Sequence, residues 1–149
     1  MKILRVSAIE NGTVIDHIPV ESVFKIAENL GVVNHQTELL IATNLPSKRL
    51  GRKGIIKISK VYLSQQEIDK IALLAEGATL SIIKNFAIKK KQTIAMPKQV
   101  VGIAKCFNPN CITNHENLTT KFEVIDKEDL QLRCLYCERL TTKQNLEFN

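Results

Sequence analysis

Four cysteines constrain this chain more than any other feature, because all of them fall in its last third as Cys106-x4-Cys111 and Cys134-x2-Cys137, with 22 residues between the pairs. Two close pairs separated by a hairpin-sized insertion suit a tetrahedral zinc ion: each short loop presents two sulfurs, and the intervening chain folds back to bring the loops together. The competing arrangements are two disulfides or four unrelated core cysteines. A reducing compartment disfavours the disulfides, and the lack of any cysteine elsewhere disfavours coincidence. Four sulfurs leave no open coordination position, so the expected ion, one per chain, is structural. His115, four residues after Cys111, offers a rival Cys3His set. Pro109 and Asn110 supply turn chemistry in the first loop, and Arg133-Cys134-Leu135-Tyr136-Cys137-Glu138 forms a tight knuckle.

Around these loops, Thr120–Ile125 and Asp129–Arg133 alternate as an antiparallel strand pair. The C-terminal part therefore reads as a small β module stapled by metal. Proline in Met96-Pro97-Lys98 marks a boundary, which divides the chain into domains of 1–97 and 98–149. Charge divides there too. Residues 1–98 hold 15 Lys+Arg against 8 Asp+Glu, whereas residues 99–149 hold 6 against 7. Four thiolates on a divalent ion would take the second part to about −3.

The N-terminal part alternates from Ile3 to Ile9, and Asn11-Gly12 is a strong hairpin signal leading into Thr13–Ile18. Pro19 opens a helix carrying Val23, Phe24, Ile26, Ala27 and Leu30, which Gly31 closes. Glu38–Thr43 reads as a strand, followed by a basic loop with Lys48, Arg49, Arg52 and Lys53, then a strand from Ile55 to Val61. Ser64 and Glu67 make a capping box ahead of Ile68, Ile71, Ala72, Leu74 and Ala75, a helix ending at Gly77. Ala78–Lys84 and Ala87–Lys90 supply further strands. Two helices among antiparallel strands predict an α+β sandwich with the helices on one face.

No catalytic constellation accompanies this architecture. The chain has no glycine-rich phosphate loop and no HExxH, and its cysteines are committed to metal. Asp16-His17 could form an acid–base pair, but no nucleophile stands beside it. No apolar run reaches the roughly 20 residues that cross a bilayer, and Met1-Lys2-Ile3-Leu4 opens a strand-like pattern unlike a signal peptide. A soluble cytoplasmic protein is the expectation.

Three stretches together are recognisable: Gly12-Thr13-Val14-Ile15-Asp16-His17-Ile18-Pro19; Asn44-Leu45-Pro46-Ser47 with Gly51-Arg52-Lys53 and Ile56-Lys57-Ile58; and the two cysteine pairs followed by Glu138. They resemble the aspartate carbamoyltransferase regulatory chain, in register from about Leu4 to beyond the second cysteine pair. The resemblance implies a ferredoxin-like allosteric domain that binds nucleoside triphosphates and a rubredoxin-like zinc domain that docks on the catalytic chain. It implies CTP, UTP and ATP as effectors of pyrimidine synthesis, regulatory homodimers that tie catalytic trimers together, and catalysis on the other polypeptide.

The same resemblance makes Asp16 and Lys57 the ribose and base contacts, Lys91 the triphosphate contact, and His17 a neighbour of the phosphates. Val6, Ala8 and Ile9 would line the base pocket, with Ile83, Phe86 and Ile88 opposite. Three positions depart from the family pattern. Ser7 replaces a usual glutamate, Ser81 an asparagine that would touch the nucleotide, and Phe86 a tyrosine. The alternative is a zinc-ribbon nucleic-acid binder. It would want basic and aromatic residues around the ribbon, where this chain is net negative.

Overall fold

The alternating stretch Gly12–Ile18 forms strand β1, the centre of a five-stranded antiparallel sheet ordered β2-β3-β1-β4-β5. Its partners are β2 (Leu39–Ser47), β3 (Gly51–Ser59), β4 (Thr79–Lys84) and β5 (Ala87–Thr93). Helix α1 (Val23–Asn29) follows β1, and α2 (Gln65–Ala75) follows β3. The order of elements is thus βαββαβ with the strands arranged β2-β3-β1-β4, the ferredoxin-like arrangement, and β5 is added outside β4. The computed structural model describes residues 8–31 and 36–149. It divides into two compact units, Met1–Ala95 and Met96–Asn149. The proposed strand from Ile3 to Ile9 falls mostly outside the described residues, as do Val6 and Ser7. Ala8 and Ile9 themselves are not in a strand.

Alternation along β1 sends successive side chains to opposite faces of the sheet. Ile15 pairs with Ile56 on one side and Leu80 on the other, a row that is buried toward the helices. Val14 pairs with Lys57 and with Ser81, and these continue to Leu40 and Lys91, a row on the opposite face. Ile15 and Ile18 are three apart and would face opposite ways in a regular strand, yet both are fully buried. A bulge between them resolves this, since the register runs Ile15↔Ile56 and then Ile18↔Gly54. The extra residue puts Ile18 back on the core face. His17 sits in the bulge at a φ of 57°.

The helices cover the isoleucine face. Val23, Ile26, Ala27 and Leu30 make a buried i, i+3, i+4, i+7 stripe on α1. Phe24, one of the apolar residues the predicted helix carries, lies off that stripe and is 60% exposed. The capping box at α2 forms as read: Glu67 N–H donates to Ser64 Oγ at 3.2 Å and Ser64 N–H to Glu67 Oε1 at 3.1 Å. Ser22 Oγ donates to the Leu74 carbonyl at 2.8 Å, joining the start of α1 to α2.

Two turns differ from the reading. Asn11-Gly12 does not close a two-residue hairpin, because β1 starts at Gly12 and pairs with β3 and β4. Gly12 is required for another reason: at φ 138° a Cβ there would collide with the Ile58 carbonyl of the paired strand. The two-residue hairpin of positive φ lies instead at Asn85-Phe86, between β4 and β5. In addition, Arg52 and Lys53 belong to β3 and not to the basic loop.

The C-terminal unit is all β. Strands β6 (Gln99–Val101), β8 (Lys121–Asp126), β9 (Gln131–Cys134) and β10 (Leu140–Thr142) form a sheet ordered β10-β9-β8-β6. A second ribbon pairs β7 (Ala104–Lys105) with β11 (Glu147–Phe148). Its apolar centre is Val100, Ile103, Phe122 and Leu132. That is too small a core to be secure without a staple.

Gly12→Ala therefore drives a Cβ into backbone that cannot yield, and should cost roughly 2–4 kcal/mol. Gly51→Ala, also at positive φ (77°) but with nothing within 4 Å, should cost only the backbone term of about 1 kcal/mol. Urea midpoints of the two variants test this, and equal losses would contradict it.

Candidate functional site

In the C-terminal unit, Cys106 follows β7, Cys111 precedes a 3-10 turn (Ile112–Asn114), Cys134 ends β9 and Cys137 lies in the turn before β10. Their sulfurs all lie within 4.8 Å of one another. Cys106 and Cys137 are 3.7 Å apart at Sγ, as are Cys111 and Cys134. This is far beyond a disulfide of about 2.05 Å. It matches the edge of about 3.8 Å expected for four sulfurs each about 2.3 Å from a tetrahedral zinc. His115 is exposed and outside the cluster, so among the described residues the grouped donors are the four cysteines.

Local hydrogen bonds hold both loops in shape. Cys111 N–H donates to the Asn108 carbonyl at 3.0 Å, and Asn114 Nδ2 donates to the carbonyls of Cys106 and Asn108 at 2.9 and 2.8 Å. In the second knuckle, Glu138 N–H donates to the Cys134 carbonyl at 2.9 Å. Backbone N–H groups also point at sulfur: Asn108 toward Cys106, and Tyr136 and Cys137 toward Cys134. Burial nevertheless pushes the Cys106 and Cys134 thiols up. Burial raises Cys137 as well, but bonds from Asn108 and the Arg139 backbone outweigh it and bring this thiol to about 7. Four thiolates so close together need a cation, and a bound divalent ion deprotonates coordinating thiols outright. The donor set fits zinc.

The N-terminal unit carries a cavity of about 260 Å³ on the sheet face away from the helices. Val14 and Asp16 of β1, Ile55 and Lys57 of β3, Thr79, Ser81 and Ile83 of β4, and Ile88 and Lys91 of β5 supply its floor. Ala8, Ile9 and Phe86 complete the lining. A second bulge matters here. The register Ile83↔Ile88 followed by Ile82↔Lys90 places an extra residue in β5, so Ile88 and Lys91, three apart, share the cavity face. Of the eleven residues the resemblance nominated, Ala8, Ile9, Asp16, Lys57, Ser81, Ile83, Phe86, Ile88 and Lys91 lie around this cavity. Val6 lies outside the described residues. His17 is beside the cavity and not in its lining.

Phe86 is 66% exposed and has a φ of 64°, a region a bulky side chain rarely occupies. Its N–H donates to the Glu10 carbonyl at 2.9 Å, and Asn85 N–H donates to Asn11 Oδ1 at 3.2 Å. These bonds tie the β4–β5 turn to the segment carrying Ala8 and Ile9. Three lining or neighbouring residues escaped the sequence reading: Val14, Ile55 and Thr79. Thr79 Oγ1 bonds His17 Nδ1 at 2.8 Å, which fixes the ring at the cavity edge.

Charge in the cavity is organised around Asp16. Lys53 Nζ lies 2.8 Å from Asp16 Oδ1, and His17 N–H donates to the same oxygen at 2.6 Å. Burial acts to raise the Asp16 carboxyl, but the Lys53 hydrogen bond, the His17 N–H and the neighbouring positive charges outweigh it and hold the carboxyl below its ordinary value. Burial holds Lys57 below the usual lysine range, against the opposing influence of Asp16. An apolar floor with two lysines and one ionised carboxylate suits a ligand that joins a flat ring, hydroxyl groups and an anion.

The metal centre gives a direct expectation. Elemental analysis of protein purified without chelator should return one zinc per chain, and Cys111→Ala should lose it. Stripping the ion should melt the C-terminal unit while the N-terminal unit keeps its helical signal. A zinc-free chain with an intact C-terminal unit would contradict this.

Family models match both units: residues 4–95 match the aspartate carbamoyltransferase regulatory chain allosteric domain, and residues 98–147 match its metal binding domain. A regulatory chain of this enzyme from Pyrococcus horikoshii is 48% identical over 148 residues, covering 98% of this chain and 97% of the relative. That of Thermococcus kodakarensis is 46% identical over 147 residues, with the same coverage. A bacterial relative of the same name, from Parabacteroides distasonis, is 41% identical over 145 residues, 97% of this chain and 94% of the relative. These relatives are named for the regulatory, non-catalytic subunit. With both units matched and nearly the whole length covered, the chain belongs to the family of aspartate carbamoyltransferase regulatory chains.

Proposed function

We propose that the N-terminal cavity binds nucleoside triphosphates, CTP, UTP and ATP, and that the zinc unit docks on an aspartate carbamoyltransferase catalytic chain, so that effector binding controls pyrimidine synthesis. One observation carries the nucleotide reading. Lys57 and Lys91 stand in a single cross-strand row with Val14 and Ser81 between them. Three strand spacings put their backbones about 14 Å apart, with lysine side chains long enough to reach inward from both ends. A base fits the apolar part between Ile9, Ile83 and Phe86, ribose hydroxyls suit Asp16, and phosphates suit Lys91 with His17 nearby. Phe86 keeps a ring where the family has a tyrosine, and Ser81 offers a shorter polar group, so the ranking of the effectors is a property of this chain's own substitutions.

Docking of the zinc unit is supported by apolar exposure around the metal. Phe107 and Ile112 flank the first cysteine loop and Leu135 and Tyr136 fill the second, all four exposed to solvent. Large apolar side chains displayed on metal knuckles mark a contact surface. A regulatory homodimer is supported by β2, a sheet edge bearing Leu39, Leu40 and Ile41. The acidic balance of the zinc unit disfavours nucleic acid as its partner. Among the described residues no helix is long and apolar enough to cross a membrane, and four free cysteines suit the reducing cytoplasm.

The two activities should separate by mutation. Lys57→Ala and Lys91→Ala each remove a charge-assisted contact of about 1.5–3 kcal/mol, a loss of roughly ten- to a hundredfold in nucleotide affinity, with assembly unchanged. Cys111→Ala should abolish assembly and leave nucleotide affinity intact. Calorimetry with CTP and ATP, beside gel filtration with the catalytic subunit, reads both properties. Lysine variants that bind nucleotide normally but fail to assemble would overturn the proposal.

A further inference from the structure

Lys53 forms an ion pair with the cavity carboxylate of Asp16, yet it is not part of the cavity lining. Its Nζ and the His17 N–H both take Asp16 Oδ1, at 2.8 and 2.6 Å. Two donors on one oxygen fix the plane of a carboxylate, because rotation about the side chain would break both bonds together. The pair is not a loose surface contact: the side chains are 20% and 27% exposed. Backbone geometry sets it up as well. The β1 bulge brings the His17 N–H back onto its own neighbour's carboxylate, and the register Ile18↔Gly54 places Lys53 beside that bulge.

We infer that Lys53 is a positioning residue for ligand selection: by holding Asp16 Oδ1, it presents Oδ2 as a fixed acceptor for the hydroxyl groups of a ribose. This inference rests on the nucleotide reading above and deepens it, since it makes the site selective for hydroxylated sugars. Lys53 acts through Asp16 and touches no phosphate. The groups facing Asp16 are Lys53 and Lys57 on β3, the Thr79 hydroxyl on β4 and His17 on its own strand, with Lys91 of β5 around the same cavity. The Ala8–Ile9 segment brings no charge.

Removing Lys53 takes away the strongest influence that lowers the Asp16 carboxyl, together with its charge, and leaves the His17 N–H and ring to oppose the burial that raises it. The carboxyl then protonates at higher pH and its acceptor is lost as acid is added. In the native chain it stays ionised throughout the range from pH 8 to 5.

The test compares CTP with 2′,3′-dideoxy-CTP by calorimetry on the full zinc-loaded chain at pH 8, 7, 6 and 5. Titration of the phosphates affects both ligands, so the affinity ratio isolates the hydroxyl contact. The native chain should prefer CTP about ten- to a hundredfold, with a ratio constant in pH. Lys53→Met should show a smaller ratio that shrinks further as the pH falls from 8 to 5, and Lys53→Arg should restore it. A Lys53→Met chain that keeps the native ratio and its constancy would overturn the inference. So would an equal loss for both ligands, which would make Lys53 a phosphate contact, or a native ratio of one. If the native chain bound neither ligand, the nucleotide reading itself would fall, and the inference with it.

Discussion

The two-faced alternation of β1 is the constraint on which the N-terminal unit depends. One strand of seven residues supplies the core with Ile15 and Ile18 and the cavity with Val14 and Asp16. Packing and the chemistry of the cavity lining are thereby bound to a single register. A slip by one residue would bury Asp16 against the helices and expose Ile15. The central position of β1 guards against this, because it is paired on both edges with β3 and β4. The bulges then correct the alternation locally. The one in β1 returns Ile18 to the core, and the one in β5 brings Ile88 and Lys91 to a common face.

The C-terminal unit solves a different problem. Its apolar core is small, so the coordination of four thiolates takes over what burial supplies in the first unit. Sulfur, not apolar area, fixes the ends of β7 and β9 and the turn leading to β10. Leu135 and Tyr136 can then stand 44% and 41% exposed on the second knuckle, with Tyr136 Oη donating to the Thr119 carbonyl at 3.0 Å.

Much of this was legible in the sequence, for identifiable reasons. Cysteine spacing reports a local loop geometry, and the capping box at Ser64 and Glu67 is written within four residues. The missed features are ones that no short window contains. Phe24 is apolar like its neighbours on α1, but its angular position lies off the buried stripe, which composition alone does not reveal. Lys53 was read as loop because lysine next to arginine and glycine resembles a turn, whereas its role comes from pairing across strands. The bulges have no composition signature at all. Without them, period-two counting puts Ile88 and Lys91 on opposite faces, so the cavity lining followed from family resemblance and not from periodicity.

The turn at Asn85-Phe86 narrows what evolution can do at one position. Glycine or asparagine in place of Phe86 would relax the left-handed backbone but strip the ring from the cavity mouth. Valine or isoleucine would lose the flat ring and deepen the strain. Only a planar aromatic keeps the cavity wall while the Glu10 and Asn11 bonds hold the backbone in place. Drift at this site is therefore confined to swaps among rings, and the polarity of the cavity mouth can change by adding or deleting a single ring substituent while the scaffold stays the same.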